Sequence, residues 1–579
     1  MSNDSKSLPV IQERVDDLPL LIAQLREMEV PALLNQAFKV HGNWHGLSFG
    51  HLVTVWLVFV ISESNHRLSH LRPWAEQRLE TLRISLGVAL EATDFTDDRL
   101  AQALRYLSQE AGWQRFEDLL NQGLLRVYDL QGDTIRLDST TAKSYATITP
   151  DGLLQLGHSK DHRPDLPQLK INLSALDPLG LPLTATVTNG ACADDPLYVP
   201  EIARVRTTLQ QRGLLYVGDC KMAARATRVY VAAGGDFYLC PLPVKQLSAA
   251  ELAALVEPVR LGQQATAPVW RRNEETGKKE KLAVGYEYEV ELSGEQDGEP
   301  VRFTERRLVV RSLQQAKAET KNLRARLRLA QRQIRALGKP KQGKRCPQTE
   351  AEWRAAVQQI LTKQRVTDLL EVRFEVQRQE RAVRGWGTRP ARTEVSEKVT
   401  VALTVRTEAL AQACFLTGWR VYATNAPAPH LSLTQAVLAY RGAYLIERGF
   451  HRLKGHALSL TPMYLTTPQH LTGLVRGLLI GLRVLGLLEY KARRALAASG
   501  EKLAGLTKGL PKKATARPTA EALLQAFDGQ SLFRVQGQWY QTPLTDLQRQ
   551  ILKLLSFSED IYHCLLTPIS EAQLKMRET

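Results

Sequence analysis

The sequence predicts an α/β chain of several domains, with a strand-rich centre between helical N- and C-terminal regions. Three observations carry this. The chain has 579 residues, too many for one hydrophobic core, so two to four domains are expected. At Asp133 the hydrophobic period switches from helical to alternating. Beyond that point the segments run strand, strand, strand, helix, strand, helix, strand, the pattern of a sheet with crossover connections.

In chain order, residues 1–15 read as a disordered N-terminus. Residues 16–125 read as a helical N-terminal domain with helices near 30–38, 47–63 and 98–111, and Thr96-Asp97-Asp98 as a cap. Its basic turn at 65–74 suits either DNA reading or a structural role. Residues 130–245 hold the strands. Segments 133–138, 169–177 and 183–188 form an antiparallel meander. They are followed by helix 199–211, buried strand 214–218, helix 222–232 and strand 236–242. Asp138 and Asp219 each end a strand, at the sheet edge where ligand sites gather. A turn or cap role is the ordinary alternative for such an aspartate.

No helix is expected after Lys245. Residues 246–427 read as a mixed, β-rich region with strands near 283–292, 302–310, 398–407 and 418–424. Within it, residues 311–345 hold 12 Lys/Arg and one acid, Glu319. An apolar stripe (Leu323, Leu327, Ala330, Ile334, Leu337) lies beside a basic one (Lys321, Arg324, Arg328, Arg332, Arg335). That is an amphipathic helix with a single-sign face, suited to a phosphate backbone.

Residues 428–460 carry the helix on which the chain is organised, 440–454. Relative to Glu447, Tyr440, Tyr444, His451 and Lys454 fall at −7, −3, +4 and +7, on one helical face. Arg441, Arg448 and Arg452 form a neighbouring basic stripe. A carboxylate among cations suits a site that holds a metal ion and a phosphate together. Residues 461–579 are helical again, with a long apolar helix at 471–498 and a basic linker at 508–518.

Lys+Arg number 76 against 60 Asp+Glu, a net charge of +16 and a pI near 9.5. A polyanionic partner follows, double-stranded DNA before anionic membrane. The membrane is disfavoured because Arg476 and Arg483 interrupt the longest apolar run, where Gly473, Gly477 and Gly481 recur as in close helix packing. The start of the chain, residues 1–9, is polar and lacks a signal-peptide core. Six scattered cysteines without a C-x-x-C pair suit a reducing cytoplasm.

Asp138, Asp219 and Glu447 make a three-carboxylate constellation without histidine or cysteine ligands. It favours Mg²⁺ or Mn²⁺, two ions about 3.5–4 Å apart acting on a phosphodiester. Here the chain resembles the DDE transposases of bacterial insertion sequences, in the cut-and-paste branch with a tyrosine–arginine–glutamate–lysine signature. The resemblance lies in Leu137-Asp138-Ser139-Thr140, in Gly218-Asp219-Cys220-Lys221-Met222, and in Tyr440, Glu447 and Lys454. Also similar are the segments 157–165, 423–426 and 514–521. One position departs: the branch's arginine, four residues before the glutamate, is Ala443.

The resemblance implies a ribonuclease-H-like catalytic core interrupted by the β-rich insertion. It implies strand nicking at element ends, transfer of the freed 3′ hydroxyl through a hairpin, and a homodimer on paired terminal inverted repeats and target DNA. Tyr440 and Lys454 would bind phosphates near the cut, and Trp419 would trap a flipped base, with a core tryptophan as the alternative. His158, Lys160, His162 and Arg163 are candidate DNA contacts. A cytoplasmic, nucleoid-associated protein is expected. Three alternatives stay open: a tyrosine recombinase using Tyr440 or Tyr444, a plain nuclease of the same fold, and a catalytically impaired DNA-binding descendant of a transposase.

Overall fold

A computed structural model describes residues 10–130, 132–272, 277–339, 346–385, 387, 390 and 392–566. The fold is mixed α/β, in two compact units. The first comprises Met1–Cys240, Ser293–Arg302 and Ala439–Thr579, the second Pro241–Leu292 and Phe303–Leu438.

The first unit is built on the strands foreseen from the alternating period. These are β1 (Thr134–Lys143), β2 (Gln168–Leu176) and β3 (Leu181–Asn189), then helix α1 (Tyr198–Leu209), strand β4 (Leu215–Gly218), helix α2 (Arg225–Ala233) and strand β5 (Phe237–Pro241). They lie in the order β3-β2-β1-β4-β5. The first three pair antiparallel, while β1–β4 and β4–β5 pair parallel through the helical crossovers. β1 is therefore where the chain reverses direction across the sheet, and the carboxyl ends of β1 and β4 open a crevice there. β2 is buried along its whole length, as expected of a strand covered on both faces.

Asp138 does not end its strand. β1 runs five residues further, because β2 keeps pairing with it out to Lys143↔Gln168 while the parallel partner stops at Leu137↔Gly218. Asp219 does follow the last residue of β4.

In the second unit a basic helix, α3 (Leu313–Arg335), buries Leu323, Leu327, Ala330 and Ile334. Its bounds are narrower than 311–345, and residues 340–345 lie outside those described. Strands Trp419–Thr424, Glu299–Ser312, Lys279–Gln296 and Ala267–Arg272 lie side by side in that order, and Leu370–Val383 pairs with Arg392–Val405 as a hairpin. A helix does follow Lys245: Ala249–Arg260. Its signal was in the sequence, a capping box in which Ser248 and Glu251 bond each other's backbone N–H. Its Pro258 masked the pattern.

The helix expected over 440–454 is two helices, α4 (Leu433–Arg441) and α5 (Tyr444–Lys454). Arg136 explains the break. Its guanidinium binds Asp177 in a two-toothed pair at 2.6 Å and donates a third bond, also 2.6 Å, to the Ala439 carbonyl. The adjoining turn tightens to three-residue bonds, Gly442 N–H to Ala439 O and Ala443 N–H to Tyr440 O. A Cβ at Gly442 would stand 2.1 Å from the Arg136 guanidinium and would displace it from this position. Tyr440 thus sits on a different helix from Glu447 and Lys454.

Residues 10–15 are not loose. Val10–Arg14 pairs antiparallel with Ser531–Val535, and Val15 is buried; residues 1–9 lie outside those described. The long apolar helix, α6 (Pro468–Ser499), is long and apolar enough to cross a membrane, yet 89% of its apolar window is buried inside the protein. A Cβ on Gly473 would meet the Leu104 carbonyl at 2.0 Å and one on Gly477 the Trp56 ring at 2.4 Å, so these glycines admit close neighbours.

Asp17, at the head of helix Leu18–Glu27, is buried and accepts the Ser62 hydroxyl at 2.7 Å. Burial, with the charges of Asp16 and Asp528, pushes its carboxyl up to about 7. The folded state therefore favours the protonated form. Its stabilisation is full below the ordinary aspartate range and is lost as pH rises towards 7. Asp17→Asn, which mimics the neutral acid, is expected to gain stability over the parent as pH rises from 5 to 8, by up to about 2.7 kcal/mol. Paired thermal melts at the two pH values check this; a constant difference would sink it.

Candidate functional site

The parallel register Leu137↔Gly218 brings the next residues, Asp138 and Asp219, side by side at the β1–β4 crevice. Burial pushes the Asp138 carboxyl up, the neighbouring Asp219 charge pushes the same way, and the Lys160 ammonium opposes both. Asp219 is oriented by two donors on one oxygen, the Tyr198 hydroxyl at 2.7 Å and the Lys221 N–H at 2.9 Å. Tyr198 projects from α1 and is buried. Burial first, then the Asp219 charge, holds its phenol well above the usual range, so it stays a donor.

Lys160, from the loop after β1, lies 3.3 Å from Asp138 Oδ1 and 3.0 Å from Ser139 Oγ, and also reaches the Ser139 carbonyl. Ser139 Oγ donates to Asp194, 3.0 Å away, which is paired with Lys170 at 2.7 Å. Lys454, at the end of α5, donates to Asp161 at 2.8 Å and to the Thr141 carbonyl of β1 at 3.2 Å. α5 is thereby fastened to the same strand that carries Asp138.

Glu447 lies in the first turn of α5 and is exposed. Among the described residues no group of three His, Cys, Asp or Glu side chains is placed to hold a metal ion. Two of the three expected carboxylates are therefore brought together, and Glu447 does not complete the cluster with them. The pair itself fits a hard cation: its donors are all carboxylate oxygens, and a cation, the Lys160 ammonium, already lies against one of them.

Other expected contacts divide. Arg448 is bound to buried Glu489 of α6 at 2.7 Å, and Arg452 bridges Glu489 and Glu521, so these two members of the stripe are spent on internal ion pairs rather than facing a ligand. Arg441 and Tyr440 are half-buried on α4. His451 is exposed and, with His456, Asp17 and Asp528, lines a cavity of about 570 Å³. In the loop after β1, His158 and His162 are exposed, and the fork of Arg163 is taken by Asp165 at 2.7–2.9 Å. Trp419 is 5% exposed, donates its ring N–H to the Phe415 carbonyl and packs with Val256, Val309 and Val421. It is a core residue of the second unit, with no face open for a base.

On α3, Lys321, Arg324, Arg328, Arg332 and Arg335 are all exposed. The one acid of the helix, Glu319, is spent on the Gly418 N–H and the Gln315 amide. No counter-charge thus offsets the stripe from its own helix.

Sequence reasoning missed Tyr198, Asp161, Asp194 and Arg136. Asp161 stood within a motif already singled out. Tyr198 and Arg136 carry no local signal, since each acts on a residue 21 or more positions away.

No family model matches this chain, and no curated protein matches it. Among solved structures it is similar to a piggyBac transposase synaptic complex with hairpin DNA, seen by cryo-electron microscopy. The TM-score is 0.33 and the identity 9%, over 97% of this chain and 84% of that one. A likeness of that size carries no argument about function.

Proposed function

We propose that this chain is a DNA transposase of the DDE type, cleaving and joining strands at the ends of a bacterial insertion sequence. The observation that carries the reading is the parallel register that sets Asp138 beside Asp219 at the crevice between β1 and β4. The antiparallel meander followed by parallel crossovers supports a ribonuclease-H-like core, and the charge of +16 supports a DNA partner.

Asp138 and Asp219 would hold Mg²⁺ or Mn²⁺, two ions by the resemblance; the resemblance makes Glu447 the third carboxylate, which in this structure stands apart from the pair and would have to approach it. Such ions activate water or a 3′ hydroxyl and stabilise the leaving oxygen of a phosphodiester. The chain's own residues prepare that site. Tyr198 fixes the Asp219 carboxylate, the Ser139 N–H fixes that of Asp138 at 2.7 Å, and Lys454, from the end of α5, reaches the Thr141 carbonyl of β1 and would serve as a phosphate partner. The exposed stripe of α3 would track the DNA backbone. Cut-and-paste transfer through hairpin ends, a homodimer on paired inverted repeats and a cytoplasmic, nucleoid-associated location belong to the same reading.

A second reading, a catalytically impaired DNA-binding descendant, is favoured by one observation: Glu447 does not join the pair, and Ala443 replaces the signature arginine. Cleavage of a labelled duplex bearing the element's end, with Mn²⁺, separates the two. Nicking and strand-transfer products lost in Glu447→Gln are expected. End binding without nicking would establish the second reading, and nicking without transfer a plain nuclease.

The α3 stripe gives a separate expectation. Replacing Arg324, Arg328 and Arg332 by Gln should weaken duplex binding across sequences and reduce the slope of log affinity against log salt by about 0.9 per lost contact. A salt titration with unchanged slope would remove this helix from the interface.

A further inference from the structure

The loop after β1 carries two adjacent, oppositely charged residues that reach in different directions. Lys160 places its ammonium among oxygens only: Asp138 Oδ1, Ser139 Oγ and the Ser139 carbonyl. Asp161 places its carboxylate on the Lys454 ammonium at 2.8 Å. The dipeptide is held down by the Lys160 N–H on Thr141 Oγ1 at 3.1 Å, and Ser159 Oγ accepts the Asp161 and Arg163 N–H groups at 3.3 and 3.2 Å. Chain neighbours thus occupy both a cation position on the acidic pair and an anion position on the lysine of α5.

Resting on the function proposed above, we propose that Lys160 and Asp161 are built-in placeholders, the ammonium standing where a divalent cation binds and the carboxylate where a DNA phosphate binds. Three features support this. The oxygen set around Lys160 is the set a hard cation takes. One ammonium on Asp138 carries less charge than the neighbouring Asp138 and Asp219 carboxylates together, a difference that a divalent ion would make up. Neither ion pair is sealed: the side chains of Lys160 and Asp138 are 31% and 26% exposed, those of Lys454 and Asp161 20% and 25%. Ion pairs so open to water are weak enough to exchange. Because the two placeholders are adjacent in the chain, release of one loosens the other. Cation and DNA then favour each other's binding without touching, a reciprocal coupling.

The test uses the full chain, with Mn²⁺ alone and a short blunt DNA duplex as probes. Free Mn²⁺ followed by electron paramagnetic resonance should show Lys160→Gln binding about fivefold tighter than wild type, the size of a partly exposed ion pair. In EDTA, Asp161→Asn should bind the duplex more tightly than wild type. In wild type, Mn²⁺ with duplex should lower hydrogen-exchange protection at residues 159–163. Equal Mn²⁺ affinity in wild type and Lys160→Gln would overturn the cation placeholder while leaving the proposed function standing. Unchanged duplex binding by Asp161→Asn would overturn the anion placeholder, and unchanged protection would overturn the release. Absence of Mn²⁺ binding from both wild type and Lys160→Gln would overturn the placeholder and the metal-dependent function together.

Discussion

Asp219→Asn is expected to lower Mn²⁺-dependent nicking of an end-bearing duplex by about three orders of magnitude or more, the loss of a charge placed for the transition state. The change removes one negative charge and little else. The amide oxygen can still accept the Tyr198 hydroxyl and the Lys221 N–H that now converge on Asp219 Oδ1. Stability should therefore change by less than about 1 kcal/mol. The contrast between lost activity and a preserved melting temperature is what distinguishes a catalytic carboxylate from a structural one. Undiminished nicking in the variant would remove the β1–β4 crevice from the chemistry. A large loss of stability would mean that Tyr198 needs the charge, and Asp219 would then be a structural partner.

Arg483→Met should destabilise the first unit by about 3–5 kcal/mol, the cost of breaking a buried ion pair from one side. Arg483 sits in the middle of α6 with no exposed side-chain surface. It donates to Glu117 at 3.0 Å and to the Pro182 and Leu183 carbonyls at 3.0 and 2.7 Å. Glu117 is itself buried and keeps only Arg204 when Arg483 is lost. Burial pushes the Glu117 carboxyl up, with both arginines opposing. Adding Glu117→Gln to Arg483→Met should recover part of the loss, because the remaining partner then carries no charge. Chemical denaturation of the two variants measures both effects. An Arg483→Met protein as stable as its parent would mean that the buried pair contributes nothing over a well-packed apolar side chain.

Much of the first unit was legible in the sequence, since a strand covered on one or both faces writes its period or its apolar run directly into the chain. The meander, the two crossovers and the buried α6 followed from that. The sequence placed Asp138 and Asp219 together by reading both as strand ends; only Asp219 follows a strand end, and what sets them side by side is the register Leu137↔Gly218. Other features were misread for reasons of the same kind. Trp419 offered an aromatic ring shortly before α4 and α5, and nothing local reveals that its neighbours Val256 and Val309 cover it. The stripe Arg441, Arg448 and Arg452 looked like a ligand-facing edge; Glu489 and Glu521, from segments well downstream, bind Arg448 and Arg452. The strand at residues 10–14 could not be foreseen because its partner strand among the described residues lies more than 500 residues away.

The sequence by itself determined the strands and crossovers of the first unit's sheet, the basic stripe of α3 and the apolar character of α6. These depend on period, spacing and residue type, which are properties of neighbours in the chain. Only the tertiary structure decided where the helix before Glu447 breaks and which charges are already spent. Arg136 imposes the break by reaching from β1 to the Ala439 carbonyl. Lys160 and Lys454 find their partners in Asp138 and Asp161, 22 and 293 residues away. A long-range contact of this kind leaves no periodic trace, because the fold, not the local sequence, brings its two ends together.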